Sequence, residues 1–236
     1  MTVQSDRLVF LGILLVVISL ASAAPARAAC GSAVAAPVVS VRALTQPPTQ
    51  DVSRGIAQLS SDRNLAVPRG LEGFRYAVGA TAAQAQARTN WQMQGQPQPG
   101  GGYCWAISQL QIVVIVSTKV YIAREVPRGS CLWNEVVRHE AKHVRADQQL
   151  FPQLSGLIRP KVLRAVSRTV PGATEAEARA ALGALLNMAL QEAVGSFQVT
   201  RNEQQLAIDT AQEYSRANRI CGNAEVAAAI TRAGLR

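Results

Sequence analysis

Apolar positions are spaced differently in the two halves of this chain. Before residue 131 they gather in short runs rich in β-branched and aromatic residues, which predicts strands at 39–44, 74–78 and 105–116. Residues 52–61 have the spacing of a short helix, and the Pro/Gly-rich segment 97–102 is typical of a hairpin loop or connection. The first half is therefore expected to be β-rich.

From residue 132 onward the apolar spacing is almost wholly helical. Pro160 is expected to open a helix, because the first turn leaves unbonded the N–H that proline lacks. Thr174 and Glu177 form a capping box ahead of a long alanine-rich helix at 176–197, and a last helix is predicted near 210–220. A β-rich half followed by a helical half predicts an α+β fold.

Residues 1–28 have the pattern of a secretory signal peptide. Arg7 precedes an apolar run at 8–20, and the Ala-Arg-Ala sequence at 26–28 fits a small-x-small cleavage site. The run is short for a membrane span, and an uncleaved membrane anchor is the alternative. We expect a periplasmic or secreted protein that keeps no stable membrane anchor after cleavage.

The remaining residues, 29–236, are enough for one domain with a real core. We expect a β-rich half at 29–131 and a helical half at 132–236. The net charge of +9 suits an envelope location facing anionic polymers, although a charged and solvated surface is the simpler explanation. Nucleic acid is not an expected partner, because the basic residues are scattered and aromatic residues make up only 5% of the chain.

Four cysteines are present: Cys30, Cys104, Cys131 and Cys221. An even number in an exported chain predicts two disulfides, for which three pairings exist. We expect Cys104 to pair with Cys131, and Cys30 to pair with Cys221 so that the two ends are joined. A cysteine zinc site is the rival interpretation, but the chain has no C-x-x-C pair.

The chain contains two histidines, and both belong to one H-E-x-x-H motif formed by His139, Glu140 and His143. On a helix the two imidazoles lie one turn apart on the same face and can bind one Zn²⁺, while Glu140 reaches the water that the zinc activates. The alternative is a surface helix whose histidines form only local contacts.

A helical wheel of residues 132–151 favours the metal site, because it sorts the side chains into three sectors. Charged groups in a sector that borders the core need partners or a metal. The apolar sector is Trp133, Val137, Ala141, Val144 and Phe151; the solvated sector is Glu135, Arg138, Lys142, Arg145 and Gln149; the sector between them is Val136, His139, Glu140, His143, Asp147 and Leu150.

A catalytic zinc site needs a third protein ligand. Asp147 lies about 12 Å along the helix axis from His139, too far to share its metal, and is expected to orient His143 or brace the helix. A carboxylate from the helical half is the expected ligand. We rank Glu213 first and Asp209 second, with the other acting as partner to a ligating imidazole; the further candidates are Glu192 and Glu203.

Local helix capping is an alternative explanation for both acids, because Thr210 with Glu213 and Asp209 with Gln212 have capping-box spacing. Tyr214 is a candidate for oxyanion stabilisation, although a packing role is the simpler interpretation. With zinc bound, Glu140 is expected to act as general base in peptide hydrolysis. A sheet, a motif helix and a ligand on a later helix match the plan of zincins, in particular of gluzincin-like sites.

The sequence resembles a family of bacterial proteins of unknown function described as predicted secreted zinc-dependent proteases. In that family an Asp-Thr pair is often followed by His-Gly, where this chain has Gln212 and Glu213, so the resemblance leaves the third ligand open. It implies peptidase chemistry without identifying a substrate. The likeness covers roughly a third of the chain and is carried by residues 89–91, 103–105, 110–116, 126–127, 133 and 139–147, with a weaker echo at 209–210.

Two classes of function follow. The first is an exported zinc metallopeptidase that acts on proteins or peptides of the cell envelope. Hydrolysis of an amide bond in a non-protein substrate would use the same site, and the sequence does not separate it from peptide hydrolysis. The second is a non-catalytic envelope module in which zinc, or a site without zinc, only stabilises the helical half. A three-ligand site with an open cleft would favour the first, and a fourth ligand or a blocked groove the second.

Overall fold

The described part of the protein combines one sheet with a set of helices. The structure, a computed structural model, describes residues 30, 35–63, 65, 75–99 and 101–235, so the proposed signal peptide lies outside it. The architecture is mixed α+β, which confirms the fold class expected from the sequence. No helix among these residues is both long and apolar enough to cross a membrane.

The strands come mainly before the helices along the chain. The strands are β1 (Val38–Thr45), β2 (Thr49–Asp51), β3 (Gly79–Pro97), β4 (Tyr103–Ile122) and β5 (Val170–Gly172). The helices are α1 (Ile56–Ser61), α2 (Cys131–Leu150), α3 (Leu154–Val166), α4 (Glu175–Ile208), α5 (Ala211–Cys221) and α6 (Asn223–Arg232).

The central strand of the sheet is β4, which pairs with the other four strands. It runs parallel to β1 and β2 and antiparallel to β3 and β5. The long hairpin joins the end of β3 at Pro97 to the start of β4 at Tyr103, and Gly101 and Gly102 before β4 adopt positive φ angles of 87° and 78°. Glycine carries no Cβ and therefore adopts these angles without strain. The loop predicted at 97–102 is thus a hairpin connection.

Two apolar clusters hold the helices to the sheet. One joins β1 and β4 to α3 and α4, with Ile112 of β4 and Phe197 of α4 both buried. The other joins the end of β4 to α1, α2 and α6, with Ile122 and Leu132 fully buried. The motif helix α2 is therefore attached to the end of the sheet where β3 begins and β4 ends.

Three local expectations differ from the structure. The described residues of the strand expected at 74–78 lead into β3, which begins only at Gly79. Pro160 lies inside α3 rather than at its start. Because proline has no N–H, the Gly156 carbonyl lacks its helical hydrogen bond. Both residues are exposed, so water can bond to that carbonyl instead. The last predicted helix, α5, is followed after Gly222 by a further helix, α6.

The predicted disulfide pairing was wrong. The disulfides join Cys30 to Cys104 and Cys131 to Cys221, with Cα atoms 5.6 and 5.5 Å apart. Cys104 lies at the start of β4 and Cys131 follows its far end, so the length of a 20-residue strand separates them. The second disulfide ties the start of α2 to the end of α5.

Candidate metal centre

The H-E-x-x-H motif lies in the middle of α2, as predicted. The helix begins after Ser130, whose hydroxyl accepts a hydrogen bond from the Trp133 N–H at 3.1 Å, and it ends at Leu150 before a turn that contains Pro152. Residues four apart share a helical face, and the rings of His139 and His143 have centroids 4.8 Å apart. Both imidazoles therefore point to one region.

Three side-chain atoms converge in that region. Asp209 Oδ1 lies 3.1 Å from His139 Nε2 and 3.2 Å from His143 Nε2, and the two Nε2 atoms are 3.1 Å apart. Ligand atoms held at zinc distances of about 2.1 Å in a tetrahedron lie roughly 3.4 Å from one another. The spacing of this trio, and its nitrogen and oxygen donors, therefore fit a zinc ion.

Asp209 reaches the histidines from the junction between α4 and α5. It caps the end of α4, its N–H bonding to the Gln205 carbonyl, and the next residue, Thr210, caps the start of α5. Burial raises the pKa of the Asp209 carboxyl, but hydrogen bonds and charge from the two imidazoles outweigh burial and lower the pKa to about 2. The carboxyl is thus ionised, as a metal ligand must be.

Glu213 lies beside the trio rather than within it. Its Oε2 is 3.8 Å from His139 Nδ1, on the other side of the ring from Asp209, and 2.5 Å from Lys142 Nζ. The geometry favours Asp209 as third ligand and gives Glu213 the position of partner to His139, the reverse of the order expected from the sequence. The reason is that α5 begins at Ala211, so the two acids do not share a helical face.

The other two candidate ligands lie outside this group. Glu192 forms an ion pair with Lys161 of α3 at 2.5 Å, and Glu203 is exposed on α4. The capping alternative is confirmed in part, because the Thr210 hydroxyl accepts a hydrogen bond from the Glu213 N–H. The Glu213 carboxylate does not complete a capping box; it accepts a hydrogen bond from Lys142. Capping and a position beside the metal site therefore coexist.

A chain of polar side chains holds His143 from the side opposite the trio. Gln205 Oε1 bonds to His143 Nδ1, and Gln205 Nε2 donates to Asp147 Oδ1 at 2.8 Å. Asp147 is fully buried and also accepts hydrogen bonds of 2.7 and 3.0 Å from the guanidinium of Arg201. Because Gln205 accepts the Nδ1–H of His143, the ring presents the lone pair of Nε2 to a metal.

Glu140 is buried beside the trio, with 4% of its surface exposed. The Thr81 hydroxyl donates a 2.7 Å hydrogen bond to its Oε2. Burial raises the pKa of the Glu140 carboxyl, although the charges of His143 and His139 oppose that rise. At Gly79 a Cβ would lie 2.5 Å from Val136 Cγ1 and 2.8 Å from Glu140 Oε1, so the absence of a side chain there makes room for both. A buried carboxylate of this kind is suited to accept a proton.

The buried face of α2 is the sector that contains the motif. Glu140, His143 and Asp147 are buried, whereas Val137 of the apolar sector is 38% exposed. The expectation that this sector borders the core and that its charged groups have partners is therefore confirmed, and the apolar sector is buried only in part, since Phe151 is fully buried. Ion pairs and hydrogen bonds compensate for the burial of these polar groups, so polarity alone does not identify the outer face.

Glu135, which the helical wheel assigned to solvent, is also buried, with 6% exposure. It lies between two arginines, 2.6 Å from Arg138 and 3.0 Å from Arg216 of α5. Together with the Lys142–Glu213 pair and the disulfide, these contacts fasten α5 to α2.

A cleft of about 380 Å³ opens beside Glu140 and His139. Tyr214 lines it and packs edge-on against His139, with ring centroids 5.7 Å apart. Burial and the nearby charge of Asp209 raise the pKa of Tyr214, which keeps its hydroxyl protonated. The apolar members of the cleft wall are Ala77, Val78, Leu132, Val136, Ala217, Val226 and Ile230.

Four residues that support the site were not anticipated: Thr81, Arg201, Gln205 and Arg216. For two of them a signal existed, because Arg201, Gln205 and Asp209 recur every four residues and would share one face of a helix. Thr81 and Arg216 carry no such signal, since their contacts join elements far apart in sequence.

Comparison of the chain with family models, with curated proteins and with solved structures finds no match. The resemblance to secreted zinc-dependent proteases stays an expectation that rests on the motif residues.

Proposed function

We propose that this protein is an exported zinc-dependent metallopeptidase in which His139, His143 and Asp209 bind the ion. The observation that carries the proposal is the convergence of their three ligand atoms within 3.2 Å of one another. Catalytic zinc sites use three protein ligands and keep one position open. Within the part of the chain that the structure describes, the group of potential ligands has three members, which supports an open position.

The proposed hydrolysis assigns a role to each nearby side chain. When bound, zinc would supply Lewis-acid chemistry that polarises the substrate carbonyl and acidifies water. Glu140 accepts the proton of the attacking water as the new C–O bond forms, and it passes that proton to the leaving amine as the C–N bond breaks. Tyr214, through its hydrogen bond to Asp209, steadies the carboxylate ligand.

Other features are consistent with this proposal. The arrangement of a sheet end, a motif helix and a ligand from a later segment is zincin-like, with aspartate in place of the glutamate of a gluzincin-like site. Two disulfides are typical of proteins in oxidising compartments, which supports export to the periplasm or beyond. The alternative, an envelope module with a structural zinc, gives no role to a buried carboxylate that faces a cleft.

Zinc stoichiometry of purified variants tests the ligand set. His139→Ala, His143→Ala and Asp209→Asn should each lose bound zinc, because two ligands do not hold the ion. Glu213→Gln is the matched control and should keep one zinc per chain. Full zinc occupancy in Asp209→Asn, with loss in Glu213→Gln, would contradict the assignment.

Glu140→Gln separates catalysis from metal binding. It should keep one zinc per chain and lose cleavage of unfolded protein and peptide substrates, since the amide cannot accept the proton. Glu203→Gln, an exposed change of the same chemistry, should cleave at the wild-type rate. Equal cleavage by Glu140→Gln and wild type would rule out the mechanism, and no cleavage by any zinc-loaded form would favour the structural module.

A further inference from the structure

The cleft beside Glu140 has the dimensions of a pocket for a single side chain. Its volume of about 380 Å³ lies near the lower end of the range of about 300–1,000 Å³ for ligand pockets. Such a volume holds one large side chain and its adjoining main chain. The general base and a metal-ligating histidine are among its lining residues, so a side chain bound there belongs to a residue next to the reacting bond.

The chemistry of the walls is apolar. Leu132 and Val136 of α2 and Ala77 before β3 are buried, while Ala217 of α5 and Val226 of α6 are half-buried and complete the lining. Burial of an apolar side chain against such a surface is favourable by the hydrophobic effect. A polar side chain would lose its hydration there with few partners in return.

The charged side chains that line the cleft carry a small excess of positive charge, because four bases (Arg75, Arg138, Lys142 and Arg216) stand against three acids (Glu135, Glu140 and Glu213). Arg138 and Arg216 share the one carboxylate of Glu135, which leaves one positive charge uncompensated within that group. Lys142 is balanced by Glu213, and Arg75 adds a further exposed guanidinium. Of the three acids, Glu135 and Glu213 are already paired with these bases, and the third is the proposed general base, Glu140. A lysine or arginine side chain of a substrate would therefore meet a lining of small net positive charge, which disfavours its binding.

We infer that this cleft is the specificity pocket of the enzyme and selects peptides with a large apolar residue beside the scissile bond, and against those with a basic one. The inference rests on the proposed peptidase function. Its walls come from α2, α5, α6 and the segment before β3, so substrate selection depends on how the helical half packs onto the motif helix.

The test uses zinc-loaded wild-type protein and a peptide series that differs at one central position, occupied by Phe, Leu, Ala or Lys. Phe and Leu peptides should be cleaved with a kcat/KM at least about tenfold above that of the Ala peptide. The Lys peptide should be the poorest substrate. In parallel, calorimetry with Glu140→Gln should show tighter binding of the Phe peptide than of the Ala peptide.

Ala217→Trp fills the cleft from α5 and should reduce the Phe-to-Ala ratio of kcat/KM at least about tenfold. Ala184→Trp, the same change at an exposed position of α4 outside the cleft, is the matched control and should keep the wild-type ratio. A ratio that changes equally in both variants would overturn the inference.

The outcomes distinguish the two proposals. Cleavage without preference among the peptides would overturn the pocket and leave the peptidase intact. Preferential binding of the Phe peptide without any cleavage would support the pocket and refute the peptidase. Equal binding of all peptides without cleavage would refute both.

Discussion

Replacement of Gln205 by leucine should weaken zinc binding without unfolding the protein. The change removes the acceptor of the His143 Nδ1–H and one donor to Asp147, while both hydrogen bonds from Arg201 to that carboxylate stay in place. A buried donor without a partner costs about 1–3 kcal/mol. Loss of a residue that orients a ligating histidine lowers metal affinity about 10–100-fold, or about 1.4–2.7 kcal/mol. The cost of the unpaired donor and the expected loss of binding free energy are therefore of the same size, so the zinc Kd should rise about 10–100-fold.

Competition with a chromophoric chelator at neutral pH measures this Kd, and urea unfolding of the metal-free protein measures stability separately. Gln204→Leu is the matched control, because Gln204 is the exposed neighbour on the same helix. Its Kd should stay within about twofold of wild type, well below the change expected for an orienting residue. If Gln205→Leu bound zinc as tightly as Gln204→Leu, the chain of contacts behind His143 would have no part in metal binding.

Three further results are expected. Arg201→Leu removes the ion-pair partner of the buried Asp147 carboxylate. It should lower the free energy of unfolding, measured in urea titrations, by about 3–5 kcal/mol. A decrease below about 1 kcal/mol, which is the usual contribution of a surface ion pair, would contradict the burial of this pair. Gly79→Ala places a Cβ against Val136 and Glu140, and it should reduce peptide cleavage at least about tenfold while zinc content is unchanged. Cleavage at the wild-type rate would contradict this expectation. Serine at both Cys131 and Cys221 removes the α2–α5 disulfide, which should destabilise the protein by about 2–4 kcal/mol and raise the zinc Kd. If chelator competition found the same Kd as for wild type, the disulfide would have no part in holding Asp209 in place.

The motif helix and the central strand could be predicted because their signals are local. Two histidines and Glu140 lie within five residues, and β4 contains a continuous β-branched run at 112–116. The strand β3 was harder to assign, because its alanines favour helices although Gln84 and Gln86 alternate with them in the period of a strand.

The third ligand and the disulfides depended on tertiary packing. Asp209 and Glu213 have similar chemistry and are four residues apart, and only the start of α5 at Ala211 decides which of them faces the histidines. Glu135 looked solvated because its partner Arg216 is 81 residues away. Pairings of this kind have no periodic signature, so a helical wheel cannot find them.

The position of Asp209 along the chain determines when the site is complete. Asp209 follows His139 by 70 residues, and the whole of α3 and α4 lies between them. Because synthesis starts at the N-terminus, the growing chain contains His139, Glu140 and His143 well before Asp209, the third residue of the candidate metal centre, is added. During synthesis the protein is a two-histidine helix without a finished ion site, and a fragment that ends within α4 is expected to be inert. Under the proposed function, the order of residues thus delays hydrolysis until the helical half has been made and has folded onto the motif helix.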